Sequence, residues 1–258
     1  MIRRFVCERH PDIPYGLWPA DASLLAEDAR RIAEEKQLAY IRLPLYPLAE
    51  SRILGANILD SPEGARMGQP LAYLPEPVLA GNDARLILQA VTEAAASGKK
   101  VMMDINGPVA VLETLAGTAA AYRFLRRDEP YLQQLCQALL DWACSCLKAG
   151  ASIISLADPL ATEDLIGKAN FCRHYAPLLI HMLQGIINKY PDCVIHICGK
   201  LSQDMLDNSL AVAEELPLRP PVSLDKALAG QKGIISGLAC VNNTARDLDC
   251  LYNLILRC

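Results

Sequence analysis

The feature that most constrains this chain is the alternation of short apolar runs with longer amphipathic stretches. Apolar runs that read as strands fall at 13–18, 38–44, 101–105, 152–156, 193–198, 221–224, 233–237 and 252–256. Between them lie stretches with helical spacing, at 21–36, 82–97, 129–148, 171–190, 205–215 and 245–251. The clearest is 129–148, where Leu132, Leu135, Leu139, Trp142 and Cys146 share a face and Gly150 stands just past the end. Residues 46–81 are rich in Pro and Gly and read as irregular. Strands that alternate with helices imply a parallel sheet covered by helices, the α/β class. Eight strands in 258 residues predict a closed (β/α)8 TIM barrel, built as a single domain over 1–258. An open, doubly wound sheet is the alternative. No G-x-G-x-x-G follows the first strand, and neither a Walker A loop nor a G-x-S-x-G elbow occurs.

Composition narrows the function classes. With 52% hydrophobic and 21% charged residues, the chain has too much to bury and too little charge to be disordered. A net charge of −4 argues against a nucleic-acid partner, which would require a basic surface. No span of about 18 apolar residues occurs, so no membrane helix is expected. The first residues turn acidic before any signal-peptide core is reached, so a cytoplasmic protein with reduced thiols is expected.

In a barrel of this kind the chemistry sits where strands end. The polar residues there are Trp18, Asp21, Arg42, Asp104, Asn106, Asp158, His196, Cys198, Asp225, Cys240, Asn242 and Cys258. His196 and Cys198 stand two apart in one strand, so their side chains share a face. One imidazole and one thiolate suit zinc, and a catalytic zinc takes three protein ligands. The third has to come from another strand end, with Cys258 and Cys240 as candidates. The competing reading is chance: among ten cysteines a His-x-Cys pair also arises as core filling. Cys144 and Cys146 lie on different faces of a helix and do not chelate together, and His174 and His181 read as packing or surface residues.

Three segments carry a resemblance: Asn106-Gly107-Pro108-Val109-Ala110-Val111-Leu112, then 150–159, ending Ala157-Asp158-Pro159, and then His196-Ile197-Cys198-Gly199. In this order they resemble the uroporphyrinogen decarboxylase superfamily, and within it the methylcobalamin:coenzyme M methyltransferase branch. The resemblance implies a TIM barrel holding Zn2+ and methyl transfer from methylcobalamin, bound to a corrinoid protein, onto a small thiol such as coenzyme M or homocysteine. It implies zinc ligation by His196, Cys198 and a distant cysteine, which falls on Cys258 with Cys240 in reserve. On this reading Asp158 supports the histidine ligand or meets substrate, or else caps its own loop before Pro159. Asp104 and Asn106 line the mouth or hold its turns, and Trp18 forms a wall against the corrin ring or closes the barrel bottom. The decarboxylase branch fits less well. Its arginines after the first strand are replaced here by Gly16-Leu17-Trp18-Pro19-Ala20-Asp21. A non-catalytic subunit that docks a corrinoid protein is the third reading.

Overall fold

The computed structural model describes residues 18–60, 65–127, 129–242 and 247–257. Its elements run α1 (Ala22–Glu35), β1 (Tyr40–Leu43), α2 (Ala49–Ile53), and the small antiparallel pair β2 (Ile58–Leu59) and β3 (Arg66–Met67). Then come α3 (Asn82–Ala95), β4 (Lys100–Asn106), α4 (Pro108–Ala116), α5 (Thr118–Arg126), α6 (Pro130–Lys148) and β5 (Ile153–Ala157). The short α7 (Glu163–Ile166) and α8 (Lys168–Asn170) lead through a π turn at Phe171–Tyr175 into α9 (Ala176–Lys189). The remainder is β6 (Val194–Ile197), α10 (Gly199–Asp207), β7 (Ala211–Ser223), α11 (Leu224–Ala229), β8 (Ile234–Gly237) and β9 (Asp247–Leu256). No described helix is long and apolar enough to cross a membrane.

The main sheet has the order β1-β4-β5-β6-β8-β9-β7. The first five strands pair in parallel. Because side chains alternate across a strand, each of these strands sends one set to the helices and one to the concave side. The outward set (Ile41, Val101, Met103, Ile154, Ile195, Ile197) packs under the helices in the larger core. Small residues on facing helices, Ala26 and Ala29 of α1 with Ala90 and Ala94 of α3, are all buried and let those helices come close. The inward set forms a second, smaller core of Tyr40, Met102, Ile153, Val194 and Ile234. One step further along each strand the inward residue turns polar: Arg42, Asp104, Ser155, His196 and Ser236. The concave face is thus apolar at the bottom and polar toward the strand C-termini.

The sheet curls until its β1 edge meets the far side. Ala39 N–H donates to Asp225 Oδ2 at 2.8 Å, Lys100 Nζ to the Gln231 carbonyl at 3.0 Å, and Arg42 Nη1 to Asn242 Oδ1 at 2.6 Å. Among the described residues it does not close into eight strands, and of the segment expected as the first strand only Trp18 is described.

Three expectations near the end are corrected. The helix expected at 205–215 is split: α10 stops at Asp207, Ser209 turns through a left-handed φ of 58°, and β7 follows. From Ala211 to Pro217 this segment pairs in register with Leu256 to Cys250 of β9, and that ladder holds it extended. The strand expected at 221–224 is the tail of β7, and Leu224 opens α11. The helix expected at 245–251 is instead β9 from Asp247 on, continuous with the expected last strand. It runs antiparallel to both β7 and β8, not parallel as the barrel alternation required.

Candidate functional site

Where the polar inward layer reaches the ends of β1, β4, β5, β6 and β8, it lines a cavity of about 170 Å³. Arg42, Asp104, Asn106, Ser155, His196, Cys198, Cys240 and Asn242 are in its wall. Five strand ends therefore bring together most of the polar residues singled out from the sequence. Asp104 stands opposite Ser155, Ser155 opposite His196, and His196 opposite Ser236, in consecutive register.

His196 is buried at the centre of this row. Its Nε2 lies 3.2 Å from the Ala239 carbonyl, which can only accept, so Nε2 carries the proton. Nδ1 is then the lone-pair nitrogen, facing Ser155 Oγ at 3.5 Å. Burial pushes the imidazolium down to about 4, and the Arg42 charge works in the same direction, so the ring is neutral at pH 7. The Ser236 hydroxyl is buried without a hydrogen-bond partner. Cys198 follows β6 at the N-terminal boundary of α10, and its N–H is held by the Leu156 carbonyl at 3.1 Å. Gly199 packs so tightly that a Cβ would stand 2.9 Å from the Ala239 oxygen, which keeps the loop after β8 against the start of α10. Arg42 Nε donates to Asp104 Oδ2, an ion pair with both side chains mostly buried.

A neutral imidazole with an available nitrogen and a thiol two residues away on the same face form a donor pair that suits zinc. Among the described residues no three His, Cys, Asp or Glu side chains form a set able to hold a metal. Cys258 lies outside the described residues. Cys240, on the loop after β8, shares the cavity wall with His196 and Cys198.

Four further residues singled out from the sequence sit elsewhere: Asp21 caps α1 by accepting from Leu24 N–H at 2.8 Å, Asp225 holds Ala39 N–H, and Asp158 and Trp18 take other places. The Asp158 carboxylate is buried, away from the cavity wall, and accepts from Val109 N–H at 2.9 Å and Ala110 N–H at 3.0 Å. It thereby joins the end of β5 to the first turn of α4. Burial pushes its pKa up to about 7 against the pull of those two N–H groups. Trp18 lines a neighbouring cavity of about 300 Å³ with Leu24, Leu25, Ile32 and Ile87. Its ring meets Tyr46 edge-on at 4.9 Å, with the Arg52 guanidinium 4.8 Å from its centre. Tyr46 and Pro44 belong to both cavity walls. Sequence reasoning did not single out Ser155, Ser236 or Glu50. The two serines are small residues inside apolar strands, and Glu50 lies in the stretch read as irregular.

The uroporphyrinogen decarboxylase (URO-D) family model matches residues 74–217. The methylcobamide:CoM methyltransferase MtaA of Methanosarcina barkeri is 26% identical over 158 residues, 56% of this chain and 46% of that protein. The protein of the same name from the Fusaro strain matches equally. The chain thus spans about half the length of the curated relatives it matches. A solved structure of a methyltransferase from Methanosarcina mazei superposes with a TM-score of 0.58 at 21% identity, covering 77% of this chain and 64% of that one, a likeness of fold.

Proposed function

The chain belongs to the uroporphyrinogen decarboxylase family, and from that membership we propose that it is a zinc-dependent methyltransferase, moving a methyl group from a corrinoid to a small thiol. The observation that carries this reading is the pairing of a neutral, buried His196 with Cys198 at the polar end of the concave face. The printed names of the similar proteins, methylcobamide:CoM methyltransferases, support the same reaction class. On this reading the curled sheet is the larger part of a (β/α)8 barrel and 1–258 one domain, with a corrinoid protein as partner at the strand C-termini.

His196 and Cys198 are the proposed zinc ligands, with Cys258 as the third; Cys240 shares the cavity wall but, among the described residues, completes no three-ligand set with them. Zinc bound there would supply the charge that keeps a substrate thiol deprotonated near pH 7. The chain's own residues position and shield the reactants. The Ala239 carbonyl fixes the histidine tautomer, and the apolar layer beneath excludes water from below. Asp158 is proposed to act through α4, which it anchors, rather than on the reacting atoms. Asp104 and Asn106 face the incoming ligands, and Trp18 forms the apolar wall of the adjoining cavity. A corrinoid bound at the strand C-termini would supply an electrophilic methyl group to the thiol sulfur, with cobalt as the leaving group.

A decarboxylase acting on a polycarboxylate finds less support. Arg42 is the one cation in the described cavity wall, and Asp104 and Asn242 already engage it. The test is anaerobic incubation of the chain with methylcobalamin and 2-mercaptoethanesulfonate or homocysteine. Loss of the methylcobalamin absorbance that requires the thiol, and that drops to background in Cys198→Ala, is expected. No thiol-dependent loss with either acceptor, in the presence of added zinc, overturns the proposal.

A further inference from the structure

Glu50 is fully buried on α2, a short helix outside the barrel alternation. Its Oε2 accepts from Asn106 Nδ2 at 2.9 Å, while its Oε1 is buried with no hydrogen-bond partner. The same Nδ2 donates to the Pro47 carbonyl at 2.7 Å. A carbonyl only accepts, so the amide atom facing Pro47 is the nitrogen, whatever the protonation of Glu50. Both amide hydrogens are therefore used, one on each acceptor. Asn106 is in the cavity wall, and its Oδ1 accepts no hydrogen bond from the described residues. A carboxyl so fully desolvated is costly to keep unless it holds something in place.

We propose that Glu50 is a positioning residue that locks the Asn106 amide with Oδ1 toward the cavity, and that Asn106 Oδ1 is the specificity contact for an N–H or O–H donor on the bound ligand. A site built to accept from such a donor discriminates against ligands that lack it, because its acceptor is then left unpaired. The donor comes either from a carboxamide on the corrin rim or from an ammonium on an amino-acid thiol such as homocysteine. The identity of the ligand rests on the proposed methyl transfer, whereas the lock itself does not. Burial also pushes Glu50 up to about 7, with the Asp104 charge nearby adding to that rise, so the group is poorly suited to a purely electrostatic role.

Two arms test this. In protein carrying 15N-labelled asparagine, the Asn106 side-chain NH2 signal is identified by its loss in Asn106→Ala. Its exchange with solvent is expected to be slowed in the wild type and in Glu50→Gln, whose amide oxygen still accepts, and to be fast in Glu50→Leu. In the kinetic arm, methylcobalamin and thiol are varied in turn. Glu50→Leu and Asn106→Ala are expected to raise one of the two KM values about tenfold, the loss of one hydrogen bond, with kcat nearly unchanged. Glu50→Gln is expected to behave as the wild type. The KM that moves identifies which ligand brings the donor. Should Glu50→Leu fail to fold, Asn106→Ala carries the kinetic arm and wild-type exchange decides the lock. Rapid exchange of the wild-type Asn106 amide, or KM values unmoved in Asn106→Ala, overturns the inference. A chain with no methyl transfer at all, but with a protected Asn106 amide that Glu50→Leu releases, removes the proposed reaction and leaves the lock standing.

Discussion

Burial shifts His196 and Glu50 in opposite directions, and in both cases toward the neutral form. His196 is pushed down to about 4 and Glu50 up to about 7. For Glu50 the consequence for stability has a definite sign. Between its ordinary value near 4.5 and about 7 the folded chain binds more protons than the unfolded one, so this group's contribution falls as pH rises through that window. Glu50→Gln removes the titration and keeps the acceptor for Asn106. The Tm difference between Glu50→Gln and the wild type should therefore move in favour of the variant between pH 5 and pH 8. A difference that stays constant with pH would mean that Glu50 is ionised at no cost. His196 and Cys198 were readable from their spacing alone, because period two puts them on one face. Glu50 was not, because nothing in Leu48-Ala49-Glu50-Ser51 marks a glutamate whose partner lies 56 residues away.

The join between β5 and α4 shows how an element is set by one side chain. Asp158 reaches two N–H groups at the start of α4, and this approach needs a bare backbone at Gly107, where a Cβ would fall 2.4 Å from the Asp158 Cβ. Asp158→Ala leaves the buried Val109 N–H and the half-buried Ala110 N–H without an acceptor and should destabilise the fold by about 1–3 kcal/mol in denaturant unfolding. Gly107→Ala forces the helix away from β5 and should cost about 2–4 kcal/mol in the same measurement. If either change is neutral, α4 is not held by this contact. Elements with a strong local period, such as α3, α6 and β4 to β6, were legible in the sequence. The antiparallel pairing of β7 with β9 was not. Residues 205–215 and 245–251 have helical spacing, but the ladder between β7 and β9 decides for strand. That pairing joins residues far apart in sequence, so local propensity carries little of it.

Over the whole molecule, the curl of the sheet makes the site. Five strands each contribute one polar inward residue to a common layer, and the contacts across the opening hold that layer concave. Asp225, 3% exposed, holds Ala39 N–H from the opposite edge. Asp225→Ala should lower stability by about 1–2 kcal/mol, read as a lower denaturant midpoint, because a half-buried N–H loses its acceptor. An unchanged midpoint would show that β1 is held by packing alone. The sequence alternation conveyed the layered α/β plan and where its chemistry sits, since strand ends can be read from local pattern. How far the sheet closes depends on the antiparallel ending, which local pattern does not carry.

Metal content tests the zinc reading most directly. Purified protein should carry about one zinc per chain by elemental mass spectrometry, as three-ligand sites of this donor type do, and His196→Ala and Cys198→Ala should lose it. Folded protein that contains no zinc and takes none up when zinc is added would contradict that reading.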